Sequence, residues 1–373
     1  MSKDKVPTTG KEPKKSGRVT IVDVAQAAGV HISTASRALN AKSDHRISPR
    51  VVRKIEKTAQ ELGYRLNTLA AGLRTQRTGT IGLIVPSLSD PLFVPIIASI
   101  EERVSKDGYV TFVASSDYRR DKLASIIDRM ISQHVDGLIV ASFELQDPGV
   151  ELCLKAGIPL VAVLRDPQHT QISSVTMDDA AGVEALVAHF LDLGHRDFTY
   201  VTPPLAASTA QNRLIGFRAG SRLEKAAGCR FDVFEARAYH VEEGERVMNQ
   251  MLSDGLASTA VLAFNDLLAV GALIALKAAG IACPEDISVS GVNDLPFMNL
   301  LSPPLTSLHT AGRDLGSEGA ELLMSLIRNR IQPVKRVLLP PHLVIRGTTG
   351  PARPHVAHVS PTNLSERRES VVD

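Results

Sequence analysis

Ile32, Ser33, Thr34, Ser36 and Arg37 fall within one six-residue stretch and bring together three hydroxyls, a guanidinium and one aliphatic side chain. The chemistry open to such a set is hydrogen bonding to phosphate oxygens and to base edges, with apolar contact to a thymine methyl. To do this the side chains must stand on one face of an element whose other face is buried. Ala35, Ala38 and Leu39 supply that inward face at helical spacing. Upstream, Thr20 with Asp23 three positions on fits a capping box, which predicts a helix from Ile21 with Val24, Ala25 and Ala28 buried beside it. Gly29 supplies a sharp stop. Two short helices meeting at Gly29-Val30 outline a helix-turn-helix, the second helix being the reader of a DNA major groove.

Ser48-Pro49 predicts a third helix, a serine cap before a proline at the first helical position, burying Val51, Val52, Ile55, Ala59 and Leu62 and ending at Gly63. Charge is divided to match. Met1 to Thr78 carries 16 Lys and Arg against 6 Asp and Glu, whereas the remaining chain carries 26 against 34. The formal net charge of +2 therefore hides a basic head on an acidic body, and a polyanion is the simplest partner for the head. Met1 to Gly17, rich in Lys, Pro, Gly and Ser, reads as a solvated tail.

The rest of the 373 residues must supply more than one core. From Thr80 the chain alternates apolar runs (TIGLIVP, YVTFVAS, VDGLIVA, IPLVAVL, DFTYVTP, TAVLAFN, DISVSGV) with helix-period segments at 93–106, 123–133, 180–193 and 267–279. That alternation predicts βαβ units in two doubly wound lobes with parallel sheets, and a small molecule bound between them at the carboxyl ends of the strands. Asp178-Asp179 reads as a pair of acids at a helix N-terminus. Cys153, Cys229 and Cys283 are scattered and suggest neither disulfide nor zinc site. No metal or cofactor is expected, nor is catalysis: G-x-G-x-x-G, G-x-x-x-x-G-K-[ST] and G-x-S-x-G are all missing. No apolar run suits an export signal or a membrane span, so a cytoplasmic, nucleoid-associated protein is expected.

The segments TIVDVAQAAGV, TASRALN and ISPRVVRKIEKTAQELGYRLNTLAAGLRTQRTGTIGLIVP resemble the lactose/galactose repressor (LacI/GalR) family of bacterial transcription regulators, and the resemblance continues to about Gly347. It implies an all-α helix-turn-helix domain joined to a two-lobed, periplasmic-binding-protein-like α/β core. The expected divisions are a basic tail (1–17), a DNA-binding domain (18–66), a hinge (67–78), a core (79–348) and a disordered tail (349–373). Within the core, 79–175 with 308–330 is expected to form one lobe, and 176–305 with 333–347 the other.

The resemblance also implies roles. Base readout falls to Ile32, Ser33 and Arg37, with Thr20, Thr34, Ser36, Asn40 and Tyr64 as further DNA contacts. His31 stands where serine is common, so the reader helix is capped more weakly or differently. In the hinge, NTLAAGLR, contacts are expected from Asn67, Ala70 and Leu73, the leucine resembling one that wedges between base steps in the minor groove. So short a helix lies below the roughly 12 to 15 residues needed for marginal stability alone, and Gly72 weakens it further. It should order only on DNA, which lets an effector act through it.

For the effector the resemblance implies Phe93 as an aromatic cover, Arg165 and Arg213 as cationic ligands, and Asn265 of an Asn-Asp pair with Asp266. Asp90 stands where asparagine is more usual, Leu164 where aspartate often precedes the arginine, and Asn293 where an aspartate usually holds a sugar hydroxyl. These departures leave room for an acidic sugar or another anionic metabolite beside a neutral sugar. Arg213→Ala is expected to abolish effector response while leaving DNA binding intact. The whole reading is a homodimeric repressor on a pseudo-palindromic operator, controlled by a small-molecule effector. A two-lobed solute-binding protein without catalytic activity is the alternative, although it would need an export signal and has no use for a basic head.

Overall fold

The computed structural model describes residues 19–39, 47–64 and 77–353. Asn40, Asn67, Ala70 and Leu73, and with them hinge residues 67–76, lie outside the described residues, as do 1–17 and 354–373. The chain divides into two compact units, Met1–Thr78 and Gly79–Asp373.

In the first unit, α1 (Ile21–Ala28) begins where the Asp23 carboxylate accepts from both the backbone N–H of Thr20 at 2.8 Å and its hydroxyl at 2.7 Å. It ends where Gly29 takes φ +65°, a conformation that favours a residue without Cβ, and the Val30 amide closes onto the Ala25 carbonyl. Then come α2 (Ile32–Leu39) and α3 (Pro49–Glu61). Val24, Ala25, Ala28, Ala35, Ala38, Ile55 and Ala59 form the core, small side chains that let three short helices approach closely. Two details differ from expectation. Leu62 is 38% exposed, because α3 has ended at Glu61 and Leu62 caps it outside the stripe. Ser48 sits at the N-cap position, yet its hydroxyl makes no capping bond, and Pro49 alone marks the start.

The second unit holds two six-stranded sheets. The first sheet contains β1 (Thr80–Val85), β2 (Val110–Ser115), β3 (Gly137–Val140), β4 (Leu160–Val163), β5 (Ser173–Met177) and β11 (Arg336–Leu339), in the order β11-β5-β4-β3-β1-β2 and parallel throughout. In the second, β6 (Asp197–Thr202), β7 (Arg230–Glu235), β8 (Ala260–Ala263), β9 (Ser288–Asn293), β10 (Thr306–His309) and β12 (His342–Val344) run β12-β10-β9-β8-β6-β7, with only β12 antiparallel. Central strands such as β3, β4, β8 and β9 are buried throughout, as strands covered on both faces must be.

The helices are α4 (Phe93–Ser105), α5 (Arg120–Ser132), α6 (Pro148–Lys155), α7 (Asp179–Asp192), α8 (Ser208–Gly220), α9 (Val241–Ser253), α10 (Asp266–Ala278) and α11 (Gly312–Arg328). Where α9 meets α10 the backbones touch through glycine: a Cβ on Gly271 would lie 2.0 Å from the Val241 carbonyl oxygen.

The lobe boundaries differ from those expected. β10, through His309, belongs to the second sheet, paired with β9, and β11 returns to the first beside β5. The chain therefore crosses between lobes at 178, at 310–311 and at 340–341. Strands of four residues at or next to a sheet edge carry too little pattern to reveal which sheet will take them. The C-terminal boundary also moves. Residues 349–353 dock on the second lobe: the Gly350 carbonyl accepts from His195 Nε2 at 3.1 Å, its amide donates to Ser288 Oγ, and the Ala352 amide donates to the Leu193 carbonyl at 2.8 Å. Buried His195, its pKa lowered by desolvation, has two neutral partners, the Gly350 carbonyl and, at 2.8 Å, Thr259 Oγ1.

Candidate functional site

The six side chains expected at the effector site of the core all line one cleft between its two lobes: Asp90, Phe93, Arg165, Arg213, Asn265 and Asn293. The first lobe contributes the loop after β1, the start of α4 and the end of β4; the second contributes α8, the end of β8 and the end of β9. The strand-derived groups sit at carboxyl ends, where doubly wound sheets leave a crevice. Tyr118, from the loop after β2, and Tyr239, from the loop after β7, also line it, with Leu92, Leu164, Thr209 and Phe264, and neither tyrosine is among the residues expected from the sequence. Their rings stack across the two lobes with centroids 4.7 Å apart and planes 16° from parallel. The remaining cavity is about 20 Å³, room for roughly one water.

Arg213 is 2% exposed. Its Nε donates to Asp179 Oδ1 at 2.8 Å, its Nη1 donates to the Phe264 carbonyl at 2.6 Å, and the guanidinium carbon lies 4.4 Å from the Phe264 ring centroid. Burial pushes the Asp179 carboxyl up and Arg213 pulls it back. Asp178 does cap α7, through the Ala181 amide, but Asp179 is a buried counter-ion within the site. The expectation that both acids merely serve the helix dipole fails there, because the pairing partner lies 34 residues along the chain.

Asn265 is also held by the protein. Its Oδ1 accepts from the Leu268 amide, capping α10, and its Nδ2 donates to the Tyr239 carbonyl, each at 2.9 Å. One N–H is left over for a ligand, so the side chain mainly fixes the loop that carries Tyr239. Asn293 adopts φ +120°, and its Oδ1 accepts from Thr310 Oγ1 at 3.2 Å. Asp90 Oδ1 accepts from the Leu92 amide at 3.0 Å, Oδ2 faces the Tyr118 hydroxyl at 3.4 Å, and burial raises the carboxyl's pKa.

Behind the cleft, Asp266 Oδ2 accepts from the Leu295 amide at 2.7 Å and Oδ1 from Ser307 Oγ at 2.5 Å, tying α10 to β10 and the loop after β9. Desolvation nevertheless pushes this carboxyl up to about 6. Between about pH 4 and pH 6 the unfolded chain has lost this proton while the folded chain keeps it, so the contribution to stability falls as pH rises. The loss reaches at most roughly 3 kcal/mol for a shift of about two units. Asp266→Asn can give both hydrogen bonds without a charge, its amide donating to Ser307. Denaturant titrations at the two ends of that window should show a smaller difference for the variant than for the parent; parallel profiles would refute the assignment.

In the first unit, Ile32 (44% exposed), Ser33 and Arg37 project from α2 into solvent, while Thr34 and Ser36 are half-buried. His31 caps the helix in place of serine: its Nδ1 accepts from the Ser33 backbone at 3.3 Å and lies 2.8 Å from Ser33 Oγ. Arg37 Nε donates to the Ser33 carbonyl at 3.2 Å. Thr20 turns its hydroxyl onto Asp23, and Tyr64 packs on the three-helix core.

Residues 20–67 match the family described as bacterial regulatory proteins, lacI family, and residues 187–349 match the periplasmic binding protein-like domain. The HTH-type transcriptional regulator DegA of Bacillus subtilis (strain 168) is 31% identical over 340 residues, 90% of this chain and 99% of that relative. The chain belongs to the lacI family. The HTH-type transcriptional repressor PurR of Pasteurella multocida (strain Pm70) is 29% identical over 88% of this chain and 97% of its own length. Among solved structures, the lac repressor dimer bound to operator and the anti-inducer ONPF aligns with TM-score 0.79 and 28% identity, over 90% of this chain and all of that one. Membership makes the chain a DNA-binding transcriptional regulator of the repressor type, and the reading as a solute-binding protein is set aside. No described helix is long and apolar enough to cross a membrane.

Proposed function

We propose that the chain is a homodimeric repressor whose two basic heads grip a pseudo-palindromic operator and whose interlobe cleft binds a small-molecule effector that sets operator affinity. The observation that carries the reading is the cleft itself: two arginines, two asparagines and an aspartate converge from both lobes on one pocket at the carboxyl ends of the strands. A ligand held by both lobes favours one lobe arrangement over others, and its binding energy becomes operator affinity through the segment that joins core to head. The lac repressor structure, a dimer on operator with a small ligand, is a precedent for the whole arrangement. Residues 18–66 form the reading domain, 67–78 the hinge and 79–348 the body of the core; the protein works in the cytoplasm and performs no catalysis.

Selection from a randomised duplex pool should return a two-fold symmetric site whose binding weakens steeply with salt, as expected when phosphate contacts release counterions. Recovery of no sequence preference, with equal affinity for every duplex, would dismiss the proposal.

A further inference from the structure

Among the described residues of the cleft, one buried guanidinium is left without a hydrogen-bonded carboxylate, and its meaning for a ligand rests on the cleft being the effector site. Asp179 neutralises Arg213. Asp90 lies near enough for its charge to feel Arg165, but its hydrogen bonds go to the Leu92 amide and the Tyr118 hydroxyl and none goes to Arg165. Arg165 is 6% exposed, its Nε has no hydrogen-bond partner among the described residues, and its guanidinium carbon lies 5.5 Å from the Tyr118 ring centroid and 5.7 Å from that of Tyr239. A guanidinium so deeply buried without a hydrogen-bonded carboxylate is costly, and the nearby charge of Asp90 and the aromatic faces offset only part of the lost hydration. The group is thus prepared for an oxyanion that the protein does not itself provide.

From this we infer that the effector is a compact hydroxylated carboxylate, its carboxylate bound by Arg165 and admitted by the parting of the Tyr118–Tyr239 stack. Three features set the class. The open hydrogen-bonding face of a single guanidinium fits one carboxylate; a phosphate ester, at nearly two charges, would crowd Asp90 and Asp179. Hydroxyls suit the rest of the lining, since Asp90 offers acceptors and Asn293 keeps its Nδ2 without a partner among the described residues. Compactness comes from the tyrosines, which reach in from opposite lobes and close the space to about 20 Å³. Tyr118 and Asp117 before it both hold left-handed backbone, at φ +57° and +51°, presenting the ring to the cleft. Tyr118 and Tyr239 are therefore specificity residues: a ligand that cannot exchange their stacking for a salt link to Arg165 has no way in.

Full-length protein is melted with acetate, D-glycerate, D-gluconate and D-galacturonate, with the neutral counterparts glycerol, D-glucose and D-galactose, and with D-glucose 6-phosphate. At about a hundredfold excess over Kd, at least one hydroxylated acid should raise Tm by roughly 5 to 10 °C, well above acetate and its neutral counterpart. Arg165→Met should lose the response, and Arg165→Lys, which keeps the charge should the first variant fold poorly, should retain the preference for acid over neutral sugar. Two of the five tyrosines form the stack and there is no tryptophan, so its opening changes the intrinsic emission. It should change with the binding acid in the parent and not in Arg165→Met. A neutral sugar or the phosphate ester matching the best acid, an undiminished response in Arg165→Met, or no response to any acid overturns the assignment. Operator selection on the same preparation keeps the two readings apart, because a symmetric DNA site with no acid binding removes only this inference.

Discussion

Arg213→Ala should lower the stability of the core by roughly 3 to 5 kcal/mol, the range for removing one partner of a buried ion pair. The guanidinium is the counter-ion of Asp179 at 2.8 Å, satisfies the Phe264 carbonyl at 2.6 Å and packs on the Phe264 ring. Truncation leaves a buried carboxylate uncompensated, a carbonyl without its donor and a void. This revises the expectation from sequence that the variant would be blind to effector and otherwise sound, since a loss of that size is a large share of a domain's stability. Removing both charges, with Arg213→Met and Asp179→Leu together, should recover most of the loss. Denaturant unfolding of the two variants beside the parent checks this, and a single variant within about 1 kcal/mol of the parent would show that Arg213 is free for ligand after all.

The range of the interactions decides how much of this is legible in the sequence. The head is legible because its determinants are local: Thr20 and Asp23 share one helical turn, Gly29 ends it, and the inward alanines recur at helical period. The six cleft residues are legible through resemblance, and strand-end placement agrees with general rules for parallel sheets. Their division of labour is not. Asn265 looks the same in sequence whether its amide meets a ligand or, as here, caps α10 and holds the Tyr239 loop. Asp179 cannot be told from an ordinary acid at a helix start until α8 is folded against it. Tyr118 and Tyr239 carry no periodic signal at all, because their stacking depends on the closure of two lobes. Both lie beyond strands at the outer edges of the sheets, and counting every residue just past a strand as a cleft candidate would have found them.

Arg37→Ala carries the other large effect, now on DNA. Arg37 stands exposed on α2 with Nε tied to the Ser33 carbonyl at 3.2 Å, which directs its remaining N–H groups away from the helix without burying them. The truncation should therefore cost little stability, within about 0.5 kcal/mol for an exposed position. If the guanidinium reads a base, each half-site loses about 1 to 3 kcal/mol of discrimination. A dimer loses it twice, so affinity for the preferred site should fall by between about thirtyfold and about twenty-thousandfold, while affinity for random duplex falls far less. The selected sequence should blur at one symmetry-related pair of positions and stay sharp elsewhere. His31, which caps the same helix and touches Ser33, provides an internal comparison: His31→Ala would loosen the helix start and blur more than one position per half-site. An equal fall on specific and random duplexes, with the profile unchanged, would make Arg37 a phosphate contact and return base readout to Ile32 and Ser33.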